Sequence, residues 1–201
     1  MKILPSLLLA LVSSVIAMHS IAGDAEAGKA LSAPCAACHG GDGNSAVPNW
    51  PKLAGLGEKY LLKQLTEIKS GARSIPEMAG QLDQHNEVAL ANIAAFYASQ
   101  TMSGSAAKAE LVDLGESIYR GGVKDSGISA CTACHSPTGK GNALAGFPRL
   151  SGQHATYIAG QLHKFQTGER NNDAESVMRD ITKRMTAAEI EAVSSYASGL
   201  R

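Results

Sequence analysis

The chain has 201 residues, in which 18 Lys+Arg balance 18 Asp+Glu and only 4% are aromatic. Balanced charge gives no reason to expect a nucleic-acid partner, which would call for a basic stripe. The length allows one ordinary domain or two small ones. With so few rings, small domains would lack apolar bulk, so a metal, a disulfide or a cofactor is expected to complete each core.

The first 23 residues, MKILPSLLLALVSSVIAMHSIAG, carry a cation at Lys2 and an apolar run from Leu7 to Ile16 broken only by Ser13 and Ser14. Small residues follow at Ser20 and Ala22, spaced as a cleavage site requires. Residues 1–22 therefore read as a secretory signal peptide. A retained membrane anchor is the alternative, but the run is short for a span. The mature chain, about 180 residues, is expected to be exported and soluble, with a net charge near −1.

The remainder is a tandem duplication. Cys35, Cys38 and His39 recur as Cys131, Cys134 and His135 at an offset of 96, and PKLAG (Pro51 to Gly55) recurs as PRLSG (Pro148 to Gly152) at 97. The second offset also relates Tyr60 to Tyr157, Gln64 to Gln161, Leu65 to Leu162, Gly71 to Gly168 and Arg73 to Arg170. Met78 pairs with Met178 and Tyr97 with Tyr196 after small gaps.

Each copy predicts the same elements in order. DAEAGKALS opens the first as a short helix capped by Asp24 and stopped by Pro34, and LVDLGESIYRGG fills that place in the second. The cysteine motif comes next, then a loop rich in Gly, Asn and Pro. A middle helix follows: Leu61, Leu62, Leu65 and Ile68 form one apolar face ahead of Gly71, and Ile158, Leu162 and Phe165 do so ahead of Gly168. After a polar loop holding the methionine, each copy closes on a helix, NEVALANIAAFYAS and TAAEIEAVSSYAS, the latter with a Thr186 to Glu189 capping box. No segment alternates with period two over a convincing length. The expected fold is all-α with two domains, residues 23–103 and 104–201, joined near Thr101 to Glu110 where small and polar residues interrupt the pattern.

Four chemistries compete for CAACH and CTACH. A disulfide between cysteines three apart closes a tiny loop and leaves the histidine of both copies unexplained. Zinc wants four ligands, and each motif supplies three with no nearby partner pair. A thioredoxin-like dithiol needs a βαβ context that is absent. Covalent haem attachment accounts for all three residues, since two thiols add to the porphyrin vinyl groups and one helical turn holds the imidazole over the iron. Cys35, Cys38 and His39 are thus expected to hold haem 1, and Cys131, Cys134 and His135 haem 2.

The other axial position separates an enzyme, with an open iron, from a carrier, with a capped one. Candidates are Met78, His85 and Met102 after the first motif, and His154, His163, Met178 and Met185 after the second. The three histidines are expected to be surface or packing residues, since none recurs as histidine in the other copy. Met185 precedes the Thr186 cap and suits a staple onto Ile190, and Met102 has no counterpart. Met78 and Met178 occupy equivalent polar loops, RSIPEMAGQ and NNDAESVMRD, where helical periodicity gives a hydrophobe no reason to be. They are the expected sixth ligands, and His/Met ligation raises the potential because a thioether favours reduced iron. Pro51 and Pro148, 12 and 13 residues past their histidines, could accept the free ring N–H, with Pro48 competing at the first site, or could simply stiffen the loops. Arg73 and Arg170 suit haem propionates or solvent. Residues 23–104 carry −2 and residues 105–201 carry +1, a modest dipole for orienting encounters, or two solvated surfaces.

Together CAACHGGDGNSAVPNWPKLAGLGEKYLLKQL, FPRLSGQHATYIAGQL, the Met78 and Met178 loops and SSYASGL resemble the dihaem cytochrome c4 family over essentially the whole mature chain. The resemblance implies two class I cytochrome c folds related by a pseudo-twofold, His39/Met78 and His135/Met178 ligation, and two covalently bound haem c groups. It also implies a location in the periplasm of a Gram-negative bacterium, sometimes held at the membrane. The implied role is to carry electrons from respiratory donors such as a quinol-oxidising cytochrome complex to a terminal haem-copper oxidase, without substrate turnover. Family members usually carry an aliphatic residue where this chain has His85. The rival readings are a dihaem peroxidase-like enzyme, against which the paired methionines argue, and the cytochrome subunit of a flavin-dependent sulfide dehydrogenase.

Overall fold

Asp24 accepts from the backbone N–H groups of Glu26 and Ala27 with its side chain, capping helix α1 (Ala25–Leu31). The computed structural model describes residues 23–201, so the signal peptide read at residues 1–22 lies outside the described residues. The cysteine motif forms the short helix α2 (Ala36–His39), followed by α3 (Glu58–Lys69) and α4 (Glu87–Ser99). The second copy repeats the order with α5 (Val112–Gly121), α6 (Thr132–His135), α7 (Ala155–Thr167), α8 (Val177–Thr182) and α9 (Ala187–Gly199). Asn86 caps α4, and Thr186 with Glu189 closes a reciprocal capping box on α9. Gly71 and Gly168, both with positive φ, end the middle helices as their spacing predicted.

The fold is all-α, and among the described residues the only β features are two isolated bridges, Val123 to Ile128 and Asn142 to Phe147. In each half the first helix packs on the last, and the middle helix packs on the other side of that last helix. This sandwiching explains why α4 buries Leu90, Ala91, Ile93, Ala94, Ala95, Phe96 and Tyr97, almost its whole circumference. Gly28 lets α1 reach the α4 backbone at Asn92, and Gly115 lets α5 reach the α9 backbone at Ala192. Two apolar clusters result, one around Leu61, Ile93 and Phe96, the other around Ile118, Ile158 and Ile190.

Met102 and Met185 belong to these clusters, as does Ile190, the residue Met185 was expected to staple. The segment around Met178 departs from expectation. It was read as a loop, but Met178 lies in α8, entered through two consecutive left-handed residues, Glu175 and Ser176. That pair turns the chain sharply enough to restart a helix within a polar sequence, which periodicity alone does not reveal. Met78 ends a single 3-10 turn, Pro76–Met78. Among the described residues no helix is long and apolar enough to cross a membrane.

Candidate haem sites and the seam between them

Each cysteine motif occupies one helical turn, with the first cysteine at the N-cap and the histidine at the last position. The residue after the histidine reverses the chain with positive φ: Gly40 at 78° in the first copy and Ser136 at 66° in the second. A serine there is strained, and two contacts hold it. Tyr119 donates its hydroxyl to the Ser136 carbonyl at 2.8 Å, and the Lys140 N–H donates to the Ser136 hydroxyl at 3.0 Å.

Both histidine rings are oriented in the same way. His39 Nδ1 lies 2.9 Å from the Pro51 carbonyl oxygen, and His135 Nδ1 lies 2.9 Å from that of Pro148. A carbonyl only accepts, so Nδ1 carries the proton in both rings and Nε2 is left free as a metal ligand. Pro51 rather than Pro48 serves the first site. Burial holds both imidazoles below their ordinary pKa, with the proline bonds opposing, which keeps them in the neutral form a metal requires.

In the second half, Cys131, Cys134, His135 and Met178 line one cavity of about 570 Å³, walled by Ile158 and Phe165. Burial pushes the Cys131 thiol up to about 11. A mainly apolar cavity with two thiols, an imidazole and a thioether suits a flat porphyrin attached through thioethers. In the first half, Met78 lines a separate hollow of about 320 Å³ with Arg73, Ile75 and Leu82, and that hollow does not include Cys35, Cys38 or His39. Beside Cys35, the buried Tyr97 hydroxyl has no hydrogen-bond partner among the described residues, and burial raises its pKa. The other axial candidates are accounted for elsewhere. His163 is exposed, His85 is half-buried with its carbonyl accepting from Lys69, and His154 Nε2 bonds the Ser45 carbonyl at 2.8 Å.

Arg73 and Arg170 are both buried, so the solvated alternative does not hold. Each guanidinium crosses between the halves. Arg73 donates to Gln64 Oε1 at 2.9 Å, and across the seam to the Tyr157 hydroxyl at 3.1 Å and Gln161 Oε1 at 3.0 Å. Arg170 mirrors it, donating to Gln161 at 2.8 Å, Tyr60 at 3.2 Å and Gln64 at 3.1 Å. Asn172 adds bonds to Gln64 Oε1 at 3.0 Å and Glu67 Oε2 at 2.6 Å. Two buried cations thus rest mainly on neutral acceptors, with Glu67 as the nearby carboxylate, and this seam retains a positive field suited to anionic groups. The glutamines and tyrosines were legible as repeat positions, but their role was not. The available signal was a recurring Gln on an otherwise apolar helical face.

A cytochrome c family model matches residues 25–91 and 113–200. The chain is 52% identical over 200 residues to cytochrome c4 of Pseudomonas aeruginosa, a match covering 99% of this chain and 98% of that one. The crystal structure of reduced recombinant cytochrome c4 from Pseudomonas stutzeri superposes with a TM-score of 0.88 at 50% identity, covering 90% of this chain and 100% of that one. A thiosulfate dehydrogenase electron acceptor from Stutzerimonas stutzeri is 37% identical over 168 residues, covering 81% of this chain and 76% of its own length.

Proposed function

The chain belongs to the cytochrome c family as a dihaem cytochrome c4 with two covalently bound haem c groups, and from that premise we propose that it is a capped, two-electron-capacity carrier of the periplasm. Cys35 and Cys38 attach haem 1 and Cys131 and Cys134 attach haem 2, with His39/Met78 and His135/Met178 as axial pairs. The domains divide at residues 103 and 104. The observation that carries this reading is the convergence of Cys131, Cys134, His135 and Met178 on one cavity in the second half, with the imidazole oriented alike in both copies; the first site follows by the repeat. The haem supplies the redox couple. The protein's own residues fix the imidazole proton at Nδ1, exclude water with apolar walls and offer Arg73 and Arg170 as fixed cations for the propionates.

A quinol-oxidising cytochrome complex is the proposed donor and a terminal haem-copper oxidase the acceptor, with no turnover on the protein itself. The likeness to a thiosulfate dehydrogenase electron acceptor favours a second reading of the donor, a dehydrogenase of reduced sulfur compounds. The deciding experiment is the visible spectrum of the reduced, exported protein before and after carbon monoxide, with haem counted per chain. Two haems and no change support capped irons; a shift at neutral pH in either haem means an accessible iron and overturns the carrier reading. Met78→Ala is expected to lower the potential of haem 1 and admit carbon monoxide there, leaving haem 2 nearly unchanged. If both potentials hold, Met78 is not the ligand.

A further inference from the structure

The two copies are not docked as equals. At the repeat offset of 97, Leu56 of the first copy corresponds to Gln153 of the second. Gln153 is 2% exposed, and its side-chain amide clamps the backbone of Lys52 in the other domain. Its Oε1 accepts from the Lys52 N–H at 2.9 Å, and its Nε2 donates to the Lys52 carbonyl at 2.8 Å. Oε1 also accepts from the His154 N–H at 3.1 Å, so the amide has one orientation that satisfies every partner. The Lys52 ammonium locks the same junction by donating to the carbonyls of Gly152 at 2.8 Å and Ser103 at 3.1 Å.

The Lys52 N–H belongs to the peptide group whose carbonyl is that of Pro51, and this carbonyl accepts from His39 Nδ1. One peptide therefore relays a chain from Gln153 Oε1 through the Lys52 N–H and the Pro51 carbonyl to the His39 N–H. Hydrogen bonds in series polarise one another, so an acceptor on the N–H side makes the carbonyl a stronger acceptor on the other. A stronger bond at Nδ1 makes the imidazole more basic, which favours ferric iron. The second site lacks this device, because Leu56, which lines the cavity beside Pro148 and Arg149, offers no acceptor.

We propose that Gln153, on the second domain, is a positioning residue for the haem of the first, lowering its potential through the Lys52–Pro51 peptide and His39. This rests on the His39 ligation proposed above. Docking of the second domain then sets the ferric preference of haem 1 without a reciprocal effect on haem 2.

The test compares Gln153→Met with Gln153→Glu in the haem-loaded protein, by redox titration resolved per haem and by the NMR shift of the His39 Nδ1 proton. Methionine fills similar volume and replaces the amide oxygen with a thioether, only a weak acceptor. Glutamate keeps the acceptor on the Lys52 N–H. In Gln153→Met, haem 1 is expected to become a few-fold easier to reduce, with the His39 proton moving upfield. In Gln153→Glu the potential of haem 1 stays at or below that of the parent, and haem 2, whose cavity Gln153 also lines, falls with the added carboxylate, whereas in the neutral Gln153→Met haem 2 is steady. An unmoved haem 1, or both haems moving together in Gln153→Met, overturns the proposal. The ligation reading fails separately: a high-spin haem 1 in the parent protein would sink the His39/Met78 assignment, whereas low-spin bands with an unmoved potential sink only the Gln153 relay.

Discussion

Substituting the glycines at the two helix crossings sets a gain in helix propensity against a steric clash, and the structure decides the sign. A Cβ on Gly115 would lie 2.6 Å from the Tyr196 Cβ and closer still to the Ala192 carbonyl oxygen. On Gly28 it would lie 2.9 Å from the Phe96 Cβ and closer still to the Asn92 carbonyl oxygen. Carbon atoms pack at about 3.5–4.0 Å, so each helix pair must open by roughly 1 Å. Overpacking of this kind costs about 1–3 kcal/mol, and obstruction by backbone rather than flexible side chain places these sites at the upper end. Alanine in a helix interior returns only about 0.8–1.0 kcal/mol. The net is a loss of about 2 kcal/mol in the affected domain, which for a domain of this size lowers its Tm by roughly 8–16 °C. Gly160 in α7 is the control, because nothing lies within 4 Å of its Cβ position, and Gly160→Ala should stabilise by about 0.5–1 kcal/mol. Calorimetry of the haem-loaded protein, with Gly28→Ala and Gly115→Ala each tied to its own transition, reads the result. A raised Tm in Gly115→Ala would refute the close-crossing argument.

Asp173 accepts from Arg179 at N, 3.0 Å, and Nε, 2.7 Å, fastening the segment that carries Met178. Burial raises its pKa, but the bonds from Arg179 outweigh that and hold it below the ordinary value. The parent's advantage over Asp173→Asn, about 1.5–3 kcal/mol, should therefore be full above pH ~3.9 and disappear as pH falls through the lower folded value. Urea midpoints across pH 7 to 2 test this, and a gap that persists at the acid end would contradict it. Ser136→Gly should stabilise the second domain by about 1 kcal/mol, since a residue confined to glycine's region costs roughly 1–3 kcal/mol; a lowered unfolding temperature would mean that the serine hydroxyl's bond outweighs the strain. Arg170→Gln removes a buried cation from the wall of the second cavity and should lower the potential of haem 2 in a redox titration, by favouring its ferric form.

The duplication, the helix order and the caps at Asp24 and Thr186 were legible because each depends on local chemistry or on comparing one half with the other, whereas the histidine–proline bonds were one of two readings of those prolines, which only the folded loops decide. Gly71 could be placed at a helix end because an apolar stripe stops just before it. The helix at Met178 was not legible, because Glu175 and Ser176 adopt left-handed backbone that neither residue type advertises. Nor was the fate of the paired tyrosines. Tyr97 and Tyr196 correspond in sequence and both are buried, yet the Tyr97 hydroxyl lies beside Cys35 whereas that of Tyr196 reaches the exposed Glu116, donating to it at 3.0 Å. The hydroxyl that contacts the second motif comes from Tyr119, on the opening helix instead. Such exchanges between packed helices depend on volume and direction, which a repeat comparison does not carry.

The seam between the domains shows why haem attachment and domain docking should depend on each other. Arg73 and Arg170 are buried against glutamine and tyrosine oxygens, and a buried cation with neutral partners alone is costly, since hydrogen bonds replace only part of its hydration. On the proposed pairing, the haem propionates supply the missing negative charge. A chain unable to load haem 1, made by Cys35→Ser with Cys38→Ser, would then retain unneutralised charge at the seam even though haem 2 and its own core remain. The link between the halves should become more accessible, and limited proteolysis between residues 103 and 110 is expected to accelerate severalfold at low salt and less at high salt, where counterions screen the charge. Cleavage unchanged from the parent would show that the seam closes without the haem, and that the polar partners already at the seam, Glu67 and Asn172 included, are enough to hold the two arginines.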